Sequence, residues 1–136
     1  MKLSPTSGMT LLEIMVVMVI LGMIASLVGV AVLDQLEEAK IKAAKTQIHD
    51  FGQALDLYKL DFGGYPSTSE GLSVLTNPSN NKKPYMRSIP KDPWQHDYVY
   101  ISPGTHNSSS FDIQSYGPDG NDGGGDDIGN WESNQQ

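Results

Sequence analysis

The sequence predicts an α+β fold in which one long N-terminal helix packs on a small antiparallel β-sheet. Three observations predict it. No proline stands between Pro5 and Pro66, and an apolar run passes into a helical stripe without a breaker. Two short alternating runs, DYVYI (97–101) and FDIQSY (111–116), have the period of strands. Turn residues crowd the segments around them, and a helix followed by strands, with no alternation of the two, is the α+β order. A chain of 136 residues is one domain's worth, with a modest core once the apolar segment is set aside.

The apolar segment comes first. From Ile14 to Leu33 run twenty residues without a charge. At about 1.5 Å per residue they reach across the hydrocarbon of a bilayer, so the segment is a membrane-spanning candidate. A cleaved signal peptide is the rival, with Gly29 and Ala31 as small residues for a cut. Its apolar region would run only about 7 to 15 residues behind a clearly positive start. Here the sole cation ahead of the run is Lys2, and Glu13 interrupts its front. An acidic residue near the middle of a membrane helix costs about 2.5 to 3.5 kcal/mol on insertion scales, and less toward the interface. Glu13 therefore either stays hydrated at the headgroups or has a partner.

After Leu33, residues Ile41, Ala44, Ile48, Phe51, Leu55, Tyr58 and Phe62 recur at spacings of three and four, which is one apolar helix face. Such a stripe is core. Gly63 and Gly64 supply the stop. Ser67 and Glu70 fit a capping box that opens a short helix, ended by Asn77 and Pro78. The segment 79–94 carries three prolines and reads as a loop held down by Tyr85, Ile89 and Trp94. The two strands follow, joined by SPGTHNSSS. There are no internal repeats.

Several function classes find no support. The net charge of −7 argues against nucleic acid as a partner. Without cysteine there is no disulfide framework, thiolate metal site or Cys nucleophile. No nucleotide-binding, metalloprotease or serine-hydrolase motif occurs, and His49, His96 and His106 lack metal-ligand spacing, so they read as surface or packing histidines. No catalytic residues are assigned, and an enzyme would need a pocket with perturbed acids.

The acidity is concentrated at the C-terminal end. Residues 1–91 hold nine basic side chains against eight acids, whereas residues 92–136 hold eight acids and no lysine or arginine. In SYGPDGNDGGGDDIGNW, Asp119, Asp122, Asp126 and Asp127 fall within nine residues among glycines. Hard oxygen donors on a flexible loop suit Ca²⁺; a solvated loop is the alternative. The spacing is not that of an EF-hand, because the fifth position from Asp119 is Gly123 and the twelfth is Asn130. Trp131 is expected to anchor the loop's end to the core.

These residues carry a resemblance. SGMTLLEIMVVMVILG resembles the processing signal of type IV pilin-like proteins, and ALDLYKLDFGGYPSTSEGL, IPKDPW and SYGPDG through DDIGNW resemble the major pseudopilins of the type II secretion system. The resemblance implies a prepilin leader over residues 1–8, a membrane and filament-core helix over 9–33, and a periplasmic domain over 34–136 with a calcium loop at 116–131. It implies cleavage after Gly8 by a prepilin peptidase, N-methylation of Met9, and an assembly role for Glu13 as the fifth residue of the mature chain. It implies Ca²⁺ as cofactor, held by Asp119, Asp126, Asp127 and the main-chain carbonyl of Tyr116. The implied partners are copies of the same chain in a helical filament, minor pseudopilins and an inner-membrane assembly platform. Three positions depart from the pattern. Met9 stands for the usual Phe, Val30 for a proline, which leaves any unwinding near Gly29 open, and Gln95 for a glycine, which leaves that turn open. A type IV pilus subunit is the nearest alternative, disfavoured by the absence of cysteine; a membrane-anchored calcium-dependent binding module would leave Gly8 and Glu13 without a role.

Overall fold

The structure is a computed structural model that describes residues 8–132. Of the leader expected over residues 1–8, only Gly8 falls among them. The chain divides into two compact units, Met1–Glu38 and Ala39–Gln136.

The helix α1 spans Leu11–Phe62, and its first part belongs to the N-terminal unit. It starts on a reciprocal cap. The Glu13 N–H donates to Thr10 Oγ1 at 3.3 Å, and the Thr10 N–H donates to Glu13 Oε2 at 3.4 Å. The side chains from Leu11 to Leu33 are exposed all round, as expected of a helix solvated by lipid or by neighbouring helices. Its most apolar window has a mean hydropathy of 2.9, long and apolar enough to cross a membrane. The helix runs unbroken through Gly29 and Val30, and nothing there would force a break without the proline.

In the second unit, α1 lays one face on the core through Ala44, Ile48, Phe51, Ala54, Leu55 and Tyr58. The expected stripe holds over its middle and shifts at its ends. Ile41, 36% exposed, falls outside the core, Phe62 is only partly buried, and Ala54 joins. Gly63 ends the helix with φ of 82°, its N–H donating to Lys59 O at 2.8 Å. The expected capping box forms, with the Ser67 N–H on Glu70 Oε2 at 2.7 Å and the Glu70 N–H on Ser67 Oγ at 3.3 Å. It opens only a turn, because Gly71 takes φ of 63° and breaks it; a four-residue 3₁₀ helix, Leu72–Leu75, follows.

The sheet has three strands: β1 (Val99–Ile101), β2 (Asp112–Ser115) and β3 (Ile128–Gly129) in the order β1-β2-β3. Both pairs are antiparallel, with Tyr100 opposite Ile113 and Ser115 opposite Ile128. The expected strands are trimmed to three and four residues, and β3 is an addition to them, since two residues show no period. Tyr98, Tyr100, Phe111, Ile113 and Ile128 join the helix face in one core, and the loop adds Tyr85, Met86, Ile89 and Trp94 at its margin. The Tyr98 hydroxyl donates to Gln47 on α1, and the Tyr100 hydroxyl to Pro66 O at 2.7 Å.

Candidate functional site

The acidic loop leaves β2 at Tyr116 and returns at β3. Glycine makes the return possible: Gly117, Gly120, Gly123, Gly124 and Gly125 all have positive φ. A side chain at Gly117 would run into the main-chain carbonyl of Asp126, so the two arms of the loop touch there. Tyr116 is half-buried at the loop's entrance. Asp119 and Asp126 come together. The Asp119 N–H donates to Asp126 Oδ2 at 3.3 Å, and a Cβ built on Gly124 would lie 2.9 Å from Asp126 Oδ1 and 3.0 Å from Asp119 Oδ2. Asp127 is tied by Oδ2 to the Gly123 N–H at 2.7 Å, and its Oδ1 is buried with no hydrogen-bond partner. Asp122 turns away, accepting Gln114 Nε2 at 3.4 Å.

The donors suit a hard divalent cation. All are oxygens, two of them flank the same space above Gly124, and a third is buried without a partner. Among the described residues, no three acidic or histidine side chains stand close enough to hold a metal ion as placed, so the ligand set that the resemblance implies is only partly assembled.

The loop's ends are tied elsewhere. Trp131 does not enter the core: it stacks on His106, with ring centroids 3.8 Å apart and planes at 10°. His106 belongs to a cluster around the buried Asp112. That carboxylate accepts the His106 and Asn107 N–H groups at 2.8 and 3.0 Å, Thr105 Oγ1 at 3.0 Å and Asn107 Nδ2 at 3.0 Å, with His106 Nδ1 at 3.2 Å. Burial pushes the Asp112 carboxyl up, but the hydrogen bonds outweigh it and hold the group at about 2. A second buried carboxylate, Asp92, organises the turn that carries Gln95, which adopts φ of 72°. Gln95 is thus held in the left-handed conformation, at a cost of about 1 to 2 kcal/mol.

Neither aspartate hub stands out in the sequence, although Asp92 before Pro93 is a recognisable turn starter. The cap on Thr10 escapes the sequence reading too, although Thr-x-x-Glu ahead of an apolar run is its signature. Gly8 and Met9 are exposed ahead of that cap.

A groove of about 570 Å³ lies between α1 and the segment after β3, lined by Lys45, His49, Gln53, Asp56, Phe111 and Glu132 among others. Among its polar groups His49 pairs with Gln53, Lys45 with Glu132, and Asp56 accepts the Tyr65 hydroxyl at 2.8 Å. Hydrogen bonds hold the Asp61 and Glu70 carboxyls below their ordinary range, as they do that of Asp112.

Comparison with known proteins agrees with this architecture. Residues 31–131 match the family described as type II secretion system (T2SS), protein G, and residues 3–29 match the prokaryotic N-terminal methylation motif. The type II secretion system core protein G of Pseudomonas aeruginosa is 46% identical, over 93% of this chain and 96% of its own. That of Vibrio cholerae is 44% identical over 96% and 94%. A crystal structure of the major pseudopilin from the type 2 secretion system of enterohaemorrhagic Escherichia coli superposes with a TM-score of 0.66 at 34% identity, covering 74% of this chain and 90% of that one. With the helix, the sheet and nearly the whole length thus accounted for, this chain belongs to the type II secretion system protein G family.

Proposed function

We propose that this chain is a major pseudopilin, a non-enzymatic subunit that polymerises through its apolar helix into the periplasmic pseudopilus of a type II secretion system and so drives export of folded proteins. The observation that carries the reading is the junction of an N-terminal methylation motif over residues 3–29 with a protein G domain over 31–131. The subunit waits in the inner membrane as a single-pass protein with its domain in the periplasm. Its partners are copies of itself, minor pseudopilins, the inner-membrane assembly platform and the prepilin peptidase.

Processing places a charge where assembly needs one. Cleavage after Gly8 frees the amine of Met9, which has a reference pKa near 8, is mostly protonated at neutral pH, and keeps its charge on methylation. Glu13 of an incoming copy neutralises that cation in apolar surroundings, where an unpaired charge is costly, and the pairing sets axial register. The intact mass of protein recovered from membranes tests this. A chain beginning at Met9 with one added methyl is the expected result; an uncut chain, or one cut near Ala31, overturns it.

Ca²⁺ is the cofactor of the acidic loop, with Asp119, Asp126 and Asp127 and the carbonyl of Tyr116 as its ligands. When bound, the ion supplies the positive charge that the loop's carboxylates otherwise lack. The chain's own part is to bring the arms together at Gly117 and to hold Asp127 through Gly123. At ten times its dissociation constant, calcium stabilises the fold by about 1.4 kcal/mol. The full chain in detergent micelles is therefore expected to melt at a higher temperature in millimolar calcium than in chelator, and Asp119→Ala or Asp127→Ala to remove the difference. Equal melting temperatures for the natural chain, with no calcium heat by calorimetry, would leave a solvated loop.

A further inference from the structure

Two buried carboxylates outside the acidic loop order tight turns, and each turn brings a histidine against that loop. Asp92, 1% exposed, accepts the Trp94 and His96 N–H groups on Oδ1 at 3.0 and 2.7 Å, and the Ser115 hydroxyl on Oδ2 at 2.5 Å. Its bonds to the residues two and four ahead fold the turn 92–96. His96 leaves that turn with its ring on Gly120, where a Cβ would lie 2.8 Å from Nε2. Asp112 does the same for the turn 105–107, and His106 leaves it with its ring face on Trp131. The indole in turn lies over Gly129, where a Cβ would come within 2.5 Å of it. One histidine thus meets the loop beside Asp119, and the other meets it four residues beyond Asp127.

We infer that His96 and His106 are positioning residues of the acidic loop, fixing its two arms so that the carboxylates between them stand ready for a cation. The ordering needs no metal; its effect on affinity rests on the calcium reading above. The loop's glycines lose more freedom on ordering than any other residue, and contacts made in advance at both ends shorten the stretch that binding must order. An aromatic stack alone is worth a factor of roughly 2 to 12 in population.

The test is amide hydrogen exchange on the full chain in detergent micelles, in chelator and in calcium. The amides of Asn121 and Gly123, which donate to Asp119 and Asp127, report on the loop, and those of Phe51 and Leu55 in α1 report on the domain. In chelator, His96→Ala and His106→Ala are each expected to speed loop exchange about tenfold while leaving α1 unchanged. His106→Phe, which keeps a ring face on Trp131, is expected to restore the natural rate. In calcium, the alanine variants are expected to bind about tenfold more weakly. Unchanged loop exchange in both alanine variants overturns the inference, as does equal acceleration in loop and helix. If calcium changes nothing in the natural chain while the alanine variants still speed loop exchange in chelator, the positioning role stands and the calcium reading falls.

Discussion

Replacing Glu13 with leucine is expected to leave membrane insertion intact and to abolish filament formation. Insertion should hold because the change removes a polar residue from an apolar run. Assembly should fail because the Met9 amine of a neighbouring copy then has no counter-charge. The structure adds a complication, since Glu13 also completes the cap with Thr10, so its loss frays the first turn by about 1 kcal/mol. Glutamine separates the two roles. Glu13→Gln keeps a side-chain oxygen for the cap, which accepts either residue, but carries no charge. If charge pairing governs assembly, the Glu13→Gln chains fail as completely as the leucine ones; if the cap governs it, they form filaments. Membrane fractionation and counts of filaments released from cells whose outer membrane has been opened read both steps. Normal filament yield from the leucine variant would leave Glu13 a merely hydrated interfacial residue.

The largest expected loss of stability comes from Asp112→Ala. Its carboxylate is buried and accepts bonds from two main-chain amides and three side-chain groups, and removal strands those donors together. A loss of about 3 kcal/mol follows, or about 12 to 24 °C in melting temperature for a domain of this size. The pH dependence has a definite sign. The folded carboxyl sits at about 2, below its ordinary 3.8, so its contribution is complete above about pH 4 and disappears as pH falls toward 2. Urea melts across that window are expected to show the natural chain losing more stability than the alanine variant. Parallel losses would mean that the hydrogen bonds do not favour the ionised form.

The helix and the core were legible because they rest on period. The three-four stripe gave Ala44 through Tyr58, and alternation gave Tyr100 and Ile113. What the sequence concealed depends on contacts between distant segments. Trp131 is visibly an anchor, but nothing local says that its partner is His106, twenty-five residues upstream. Asp92 and Asp112 look like any other acids in a chain of sixteen, because burial is decided by what packs over them. The carboxylates of the loop could be counted in advance; which of them meet depended on the glycine conformations, which place Asp119 beside Asp126 and send Asp122 to Gln114.

The brevity of the sheet has a consequence for crowding. Its strands have three, four and two residues, and β2, the longest, lies in the middle. Both outer edges therefore present only a few free amides and carbonyls, too few to template a strand from a neighbour. Domains packed side by side at high density would otherwise be prone to join edge to edge into irreversible aggregates. With so little ladder to extend, accidental β-pairing between copies is suppressed even at high local concentration.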